Sequence, residues 1–173
     1  MRSELGAAPE LLDVVDENDN VIGQATREEC HSRRLIHRCA FVLLYNSRGE
    51  LLLLKRAAKV DRYPGLYSVV GEHVKAGESY EAAARRGIKE ELGADVYVEF
   101  IAKIPMFSEE EKEIGAIFKG VYDGPFRVDP GEVERITFYP LEEVLERFHR
   151  NEIQVTPGTS FVLKYLNEKR VSR

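Results

Sequence analysis

The chain has 173 residues, 43% of them hydrophobic and 32% charged, a balance ordinary for a globular protein with a sizeable core. A net charge of -5 argues against a generic binder of nucleic acid or anionic membrane, though not against a site where a few Lys and Arg hold a small anion. Cys30 and Cys39 are too few for a disulfide framework, and no apolar run reaches membrane-spanning or signal length, so the cytoplasm is the expected compartment.

Residues 1–10 read as a loose arm on one domain covering 1–173, with no linker, repeat or low-complexity tract to divide it. Two short apolar runs, 11–15 and 21–26, flank Glu17-Asn18-Asp19-Asn20, an acidic, Asn-rich turn that predicts a hairpin. Residues 27–32 read as a short helix or turn. The runs 39–45 and 51–54 around Asn46-Ser47-Arg48-Gly49 repeat the strand–turn–strand pattern, nearly continuously apolar as in buried strands. Tyr63-Pro64-Gly65 marks a loop, and 67–70 a strand that enters a loop at Gly71-Glu72-His73. Further strands are expected over 96–104, 114–122 and 136–139, and amphipathic helices over 141–149 and 159–169, the second after Pro157-Gly158. Strands interspersed with few helices predict an α/β fold in which helices sandwich a mixed sheet.

The stretch from Gly71 to Gly93, GEHVKAGESYEAAARRGIKEELG, carries the strongest chemical signal. Ser79 is a suitable N-cap with Glu81 in the first turn, and Gly93 a suitable left-handed terminus. Tyr80, Ala84, Ile88 and Leu92 recur at four-residue spacing as a buried stripe, and Arg86 neighbours Glu90 one turn on. Taken alone, such a helix is an amphipathic one with solvated charges. Preceded by a glycine-flanked loop that offers a backbone carbonyl, its adjacent Glu90 and Glu91 suit a hard divalent cation held against a diphosphate.

This stretch resembles the signature box of the Nudix superfamily: Gly, five residues, Glu, seven residues, Arg-Glu, an aliphatic, any residue, Glu-Glu, any residue, Gly. Glu78, Arg86, Ile88, Glu90, Glu91 and Gly93 fall on box positions. The resemblance implies a Nudix-like α/β/α sandwich around a mixed β-sheet and Mg2+ or Mn2+ as cofactor. It also implies a small-molecule diphosphate as partner, and a homodimer as a frequent assembly. Two positions depart. Glu72 stands where the box begins with Gly, and Gly87 where the box has the Glu after Arg, a residue that in the family often binds metal or activates water. A mid-helix Gly costs about 1 kcal/mol relative to Ala, which points to close packing or room for a ligand, or to a position needing no side chain.

A second resemblance, to metal-dependent isopentenyl diphosphate isomerase, extends outside the box through LIHRCAFVLLYNSRGELLLLKRA and YPGLYSVVGEH. It implies His31, His37, His73, Glu111 and Glu113 as metal ligands and Arg56 as a diphosphate contact. Glu111 and Glu113, two apart, share one face if they lie on a strand, and with Glu90 and Glu91 they would repel unless a cation intervened. Oxygen donors favour Mg2+ or Mn2+, whereas three His and two Glu also suit Zn2+. On composition alone, Glu109 to Glu113 read as a solvated acidic turn, and His37 reads equally as a satisfied core histidine. The isomerase's catalytic Cys falls at Gly71, which has no side chain to exchange a proton, so isomerase chemistry is not expected.

Lys55, Arg56 and Lys59 are the candidates for holding phosphate, set against the ordinary occurrence of basic residues at a strand end. Arg86 is expected to brace Glu78 or Glu90. The expected activity is Mg2+- or Mn2+-assisted hydrolysis of a phosphoanhydride, in a nucleoside di- or triphosphate or another linked diphosphate. Gly71, Glu72, His73, Glu90 and Glu91 would lie near the metal, and Glu113 or Glu72 would act as general base. The alternative is a diphosphate-binding module without turnover.

Overall fold

The computed structural model describes residues 9–171, so the predicted N-terminal arm lies outside the described residues except for Pro9 and Glu10. β1 (Leu11–Val15) and β2 (Val21–Thr26) form the expected hairpin. The Asp16 carboxylate accepts from the Asn18 and Asn20 amides, each at 2.9 Å, and Asp19 turns the chain with φ 64°. α1 (Arg27–Ser32) opens on a reciprocal capping box between Thr26 and Glu29. The remaining elements are β3 (His37–Tyr45), β4 (Glu50–Arg56), β5 (Tyr67–Ser68), β6 (Val70–His73), α2 (Tyr80–Leu92), β7 (Glu99–Phe107), β8 (Lys112–Val121), β9 (Val133–Pro140), α3 (Leu141–His149) and α4 (Pro157–Val171).

β3 is the spine of the sheet. One edge pairs parallel with β8 from His37↔Glu113 to Tyr45↔Val121. β1, β6 and β4 share its other edge in turn, through Val14↔His37, Cys39–Val42 against Val70–His73, and Tyr45↔Leu51. The other pairings between these strands are antiparallel, so the sheet is mixed, as expected. The expected hairpin of β3 with β4 holds only at that last pair. Beyond it β4 leaves to run alongside β9, and β6 takes its place against β3. The parting of these strands opens the cleft described below.

Alternation along the central strands separates two cores. Ala40, Val42, Leu44, Leu52, Leu54 and Val70 pack with Ala83, Ala84, Ile88 and Leu92 of α2. Cys39, Phe41, Leu43, Leu51, Leu53 and Val69 pack with Val144 and Leu145 of α3 and Val162 and Leu163 of α4. A helical layer on each face makes the α/β/α sandwich, and burial on both faces explains the unbroken apolar runs of β3 and β4.

Several boundaries differ from expectation. The single strand expected over 67–70 is two, β5 and β6, divided at Val69. Gly71-Glu72-His73 is strand rather than loop, because its backbone continues the ladder with β3. The strand expected from residue 96 starts at Glu99 and runs on to Phe107. α4 begins at Pro157, whose fixed φ and missing N–H suit a first helical position. Among the described residues, no helix is long and apolar enough to cross a membrane.

Candidate active site

A cleft of about 670 Å3 lies where β6 parts from β4, lined among others by Arg56, Lys59, Gly71, Glu72, His73, Glu90, Glu91, Glu111 and Glu113. Most of the sequence-predicted site residues thus meet in one place, but from opposite faces of the sheet. Because 71–73 is strand, its side chains alternate. Glu72, opposite Ala40, faces α2, while Gly71 and His73, opposite Phe41 and Cys39, face the layer of α3 and α4.

The α2 side is built by the box itself. Ser79 caps the helix by accepting from the Ala82 amide at 3.1 Å, and Gly93 closes it with φ 67°. Ala83, Ala84, Gly87, Ile88 and Leu92 form the buried face, with Tyr80 only partly buried. Arg86 donates to both carboxylate oxygens of Glu78, each at 3.0 Å, and to the His73 carbonyl at 2.7 Å. Its other nitrogen lies 3.4 Å from Glu90 and 3.6 Å from Glu72. Glu78 in turn accepts from the Lys75 amide, so this pair ties the β6 exit to the helix, as expected.

Beside that brace stand the carboxylates of Glu72, Glu90 and Glu91. Burial, reinforced by Glu72, pushes the Glu91 carboxyl well above the usual carboxylate range. Burial also raises Glu72, against the Arg86 guanidinium that lowers it. Among the described residues, Glu91 Oε2 is the buried side-chain polar atom left without a hydrogen-bond partner. An orphaned oxygen beside two further carboxylates is costly unless a cation supplies the missing partner, so these residues fit a hard divalent ion.

On the other face His37, Cys39, His73 and Glu113 bring one donor atom each within 4.8 Å of one another. The His37 and His73 rings stack with centroids 5.4 Å apart. His37 Nδ1 lies 3.0 Å from the Leu35 carbonyl, which can only accept, so Nδ1 carries a proton and Nε2 is the nitrogen left for the cluster. The Cys39 thiol donates to Glu113. Burial, then Glu113, pushes that thiol well above its ordinary value. Burial, then Arg27, drives His73 down to about 3, leaving a neutral ligand-type imidazole. Burial raises Glu113 although His37 opposes it.

His31 does not join this cluster. It is exposed, and its Nδ1 lies 3.1 Å from Glu111, which also accepts from Arg62 at 3.1 Å. Lys55 does not face the cleft either: alternation along β4 puts Leu54 and Arg56 on the cleft side, and Lys55 pairs with Glu134 at 3.1 Å. Sequence reasoning missed Arg27 and Cys39 at the cleft. Cys39 was considered only for disulfides, while its partner Glu113 lies 74 residues away. A side chain at position 71 would place its Cβ 3.0 Å from the Phe41 ring, which occupies the space an isomerase thiol would need.

A profile of the NUDIX domain matches residues 35–158, spanning both clusters. The chain is 35% identical over 144 residues to an uncharacterized Nudix hydrolase of Yersinia pestis, covering 82% of this chain and 79% of that protein. It is 33% identical over 150 residues to the uncharacterized Nudix hydrolase YfcD of Escherichia coli, with 82% and 79% covered. Among solved structures, DR0079 from Deinococcus radiodurans superposes with a TM-score of 0.78 at 25% identity, over 90% of this chain and 98% of that one. The NUDIX domain of Shewanella oneidensis NrtR, solved with ADP ribose, shares the fold with a TM-score of 0.58 at 14% identity, over 76% and 86%. With the box on α2, the sandwich around it and these relatives in agreement, the chain belongs to the Nudix hydrolase family.

Proposed function

We propose that the protein is a Mg2+- or Mn2+-dependent pyrophosphohydrolase acting, as one domain, on a small nucleoside di- or triphosphate or another diphosphate linked to a second moiety. The observation that carries this reading is the unpartnered Glu91 oxygen in the cleft, beside Glu72 and Glu90, with Arg56 and Lys59 on the same walls. Glu90, Glu91 and the Gly71 carbonyl would hold the ion. Bound there, a divalent ion supplies Lewis acidity toward a phosphoryl oxygen and lowers the pKa of a water. Arg56 grips phosphate oxygens through a guanidinium held in place by the Arg62 carbonyl at 3.0 Å, with Lys59 as a mobile charge. The proton of the attacking water passes to a cleft carboxylate, and burial has raised both Glu72 and Glu113.

The donor set of His37, Cys39, His73 and Glu113 supports a second, softer ion such as Zn2+ on the opposite face, with Glu111 beside it and His31 orienting Glu111. Its place at the end of the same cleft suits a role in positioning the substrate.

The test is phosphate release with Mg2+ or Mn2+ from a panel of nucleotides, sugar nucleotides (ADP ribose among them) and dinucleoside polyphosphates, with Glu91→Gln as control. Loss of Lewis-acid assistance is expected to lower turnover at least about a hundredfold in that variant. Binding without product across the panel would make the protein a diphosphate-binding module, and full activity in Glu91→Gln would refute the assignment.

A further inference from the structure

The two departures from the Nudix box, Glu72 and Gly87, lie fifteen residues apart in the chain but touch in the fold. A Cβ at position 87 would sit 3.2 Å from the Glu72 Cβ, 3.8 Å from its Cγ and 3.5 Å from a Val70 methyl. The volume in front of Gly87 therefore belongs to the Glu72 side chain. Alternation on β6 aims Glu72 at α2, and small Ala40 beside it leaves the way clear. The glycine is unfavourable for the helix, yet it sits on the buried face where a larger residue would crowd that carboxylate.

The packing supplies one shared cation for the acid at 72. Its neighbours on that face are Val70, Gly87 and the acids Glu90 and Glu91, and a single Arg86 nitrogen, 3.6 Å from Glu72 and 3.4 Å from Glu90, serves both while the rest of that guanidinium holds Glu78 and the His73 carbonyl. A third carboxylate beside the unpartnered oxygen of Glu91 is a repulsive arrangement unless an ion is shared among them.

We propose that Glu72 is the third carboxylate of the α2 ion site, delivered from β6 into the space that Gly87 leaves open, so that positions 72 and 87 form one exchangeable pair. A carboxylate that the helix would otherwise present reaches the same place from the strand. Glu72 rather than Glu113 is then the acid on the α2 side of the cleft, since Glu113 faces the other layer and accepts from Cys39. This assignment rests on the proposed ion site and refines its membership.

The test uses Mn2+ alone, its free concentration followed by electron paramagnetic resonance, together with thermal melting of each variant. Glu72→Gln is expected to weaken Mn2+ binding about tenfold or more while melting at or above the wild-type temperature. Gly87→Glu alone is expected to melt lower without tighter binding, because the new side chain crowds Glu72. The double variant Glu72→Gly/Gly87→Glu is expected to bind Mn2+ within about threefold of wild type. Wild-type affinity in Glu72→Gln, alongside lost binding in Glu91→Gln, would remove Glu72 from the site while leaving the ion site standing. A folded double variant that binds as weakly as Glu72→Gly would overturn the exchange, and if it fails to fold, Glu72→Gln decides alone. Equal Mn2+ binding in wild type and Glu91→Gln would instead sink the ion site itself.

Discussion

The two faces of β6 carry two donor sets of different character. Toward α2 the donors are carboxylates, Glu72, Glu90 and Glu91, held by a helix and a strand that the box brings into contact. Toward α3 and α4 the donors are two imidazoles, a thiol and one carboxylate, contributed by β3, β6 and β8. The first set lies within twenty residues of sequence, whereas the second spans 37 to 113. One short strand serves both because alternate side chains leave it on opposite sides. On the proposed reading, a hard ion and a softer one would share the cleft without competing for ligands.

Loading the protein with Co2+ separates the two faces most strongly. A thiolate charge-transfer absorption is expected that Cys39→Ser abolishes and Glu91→Gln retains. Absorption lost equally in both variants would mean one merged site. Next in size is Arg86→Ala, which removes a largely buried fork from Glu78 and the His73 carbonyl, with 19% of its side chain exposed. Urea unfolding is expected to show a loss of about 2–3 kcal/mol, and a loss below half that would demote the brace.

The basic wall offers a smaller contrast. Arg56→Ala is expected to raise KM for the best panel substrate about tenfold, while Lys55→Ala, pointed at Glu134, leaves it unchanged. Equal effects would show that alternation along β4 has been misjudged. A further contrast is a pH dependence. Folded His73 stays neutral down to about 3, whereas in the unfolded chain it takes up a proton below its ordinary 6.5. Acid therefore favours unfolding across that window, and stability present above pH 6.5 is lost as pH falls toward 3. His73→Gln should flatten this part of the stability–pH curve, and an unchanged slope would place the imidazole in solvent.

Much of the α2 side was legible because its signals are local. Ser79, Gly93 and the apolar stripe fixed α2, the ends of β1 and β2 fell where the turn between them placed them, and α3 followed its amphipathic pattern. The reading of Gly71-Glu72-His73 as a loop failed because a polar, glycine-flanked triplet resembles a turn when the partner strand is unseen. The backbone ladder with Cys39–Val42 overrides that local signal. Lys55 was misplaced although the alternation of ELLLLKR, with Arg56 on the cleft side, was available in the sequence. Cys39 was different: nothing near it reports a carboxylate arriving on a parallel strand seventy-four residues later. The contact of Gly87 with Glu72 was equally hidden, though both were visible as departures.

The most direct test of the two-faced cleft is anomalous diffraction from crystals soaked in Mn2+. A peak bonded to Glu91 Oε2 at about 2.0–2.2 Å is expected, with Glu72 and Glu90 among its neighbours. A peak confined to His37 and His73, with Glu91 left unpartnered, would contradict it.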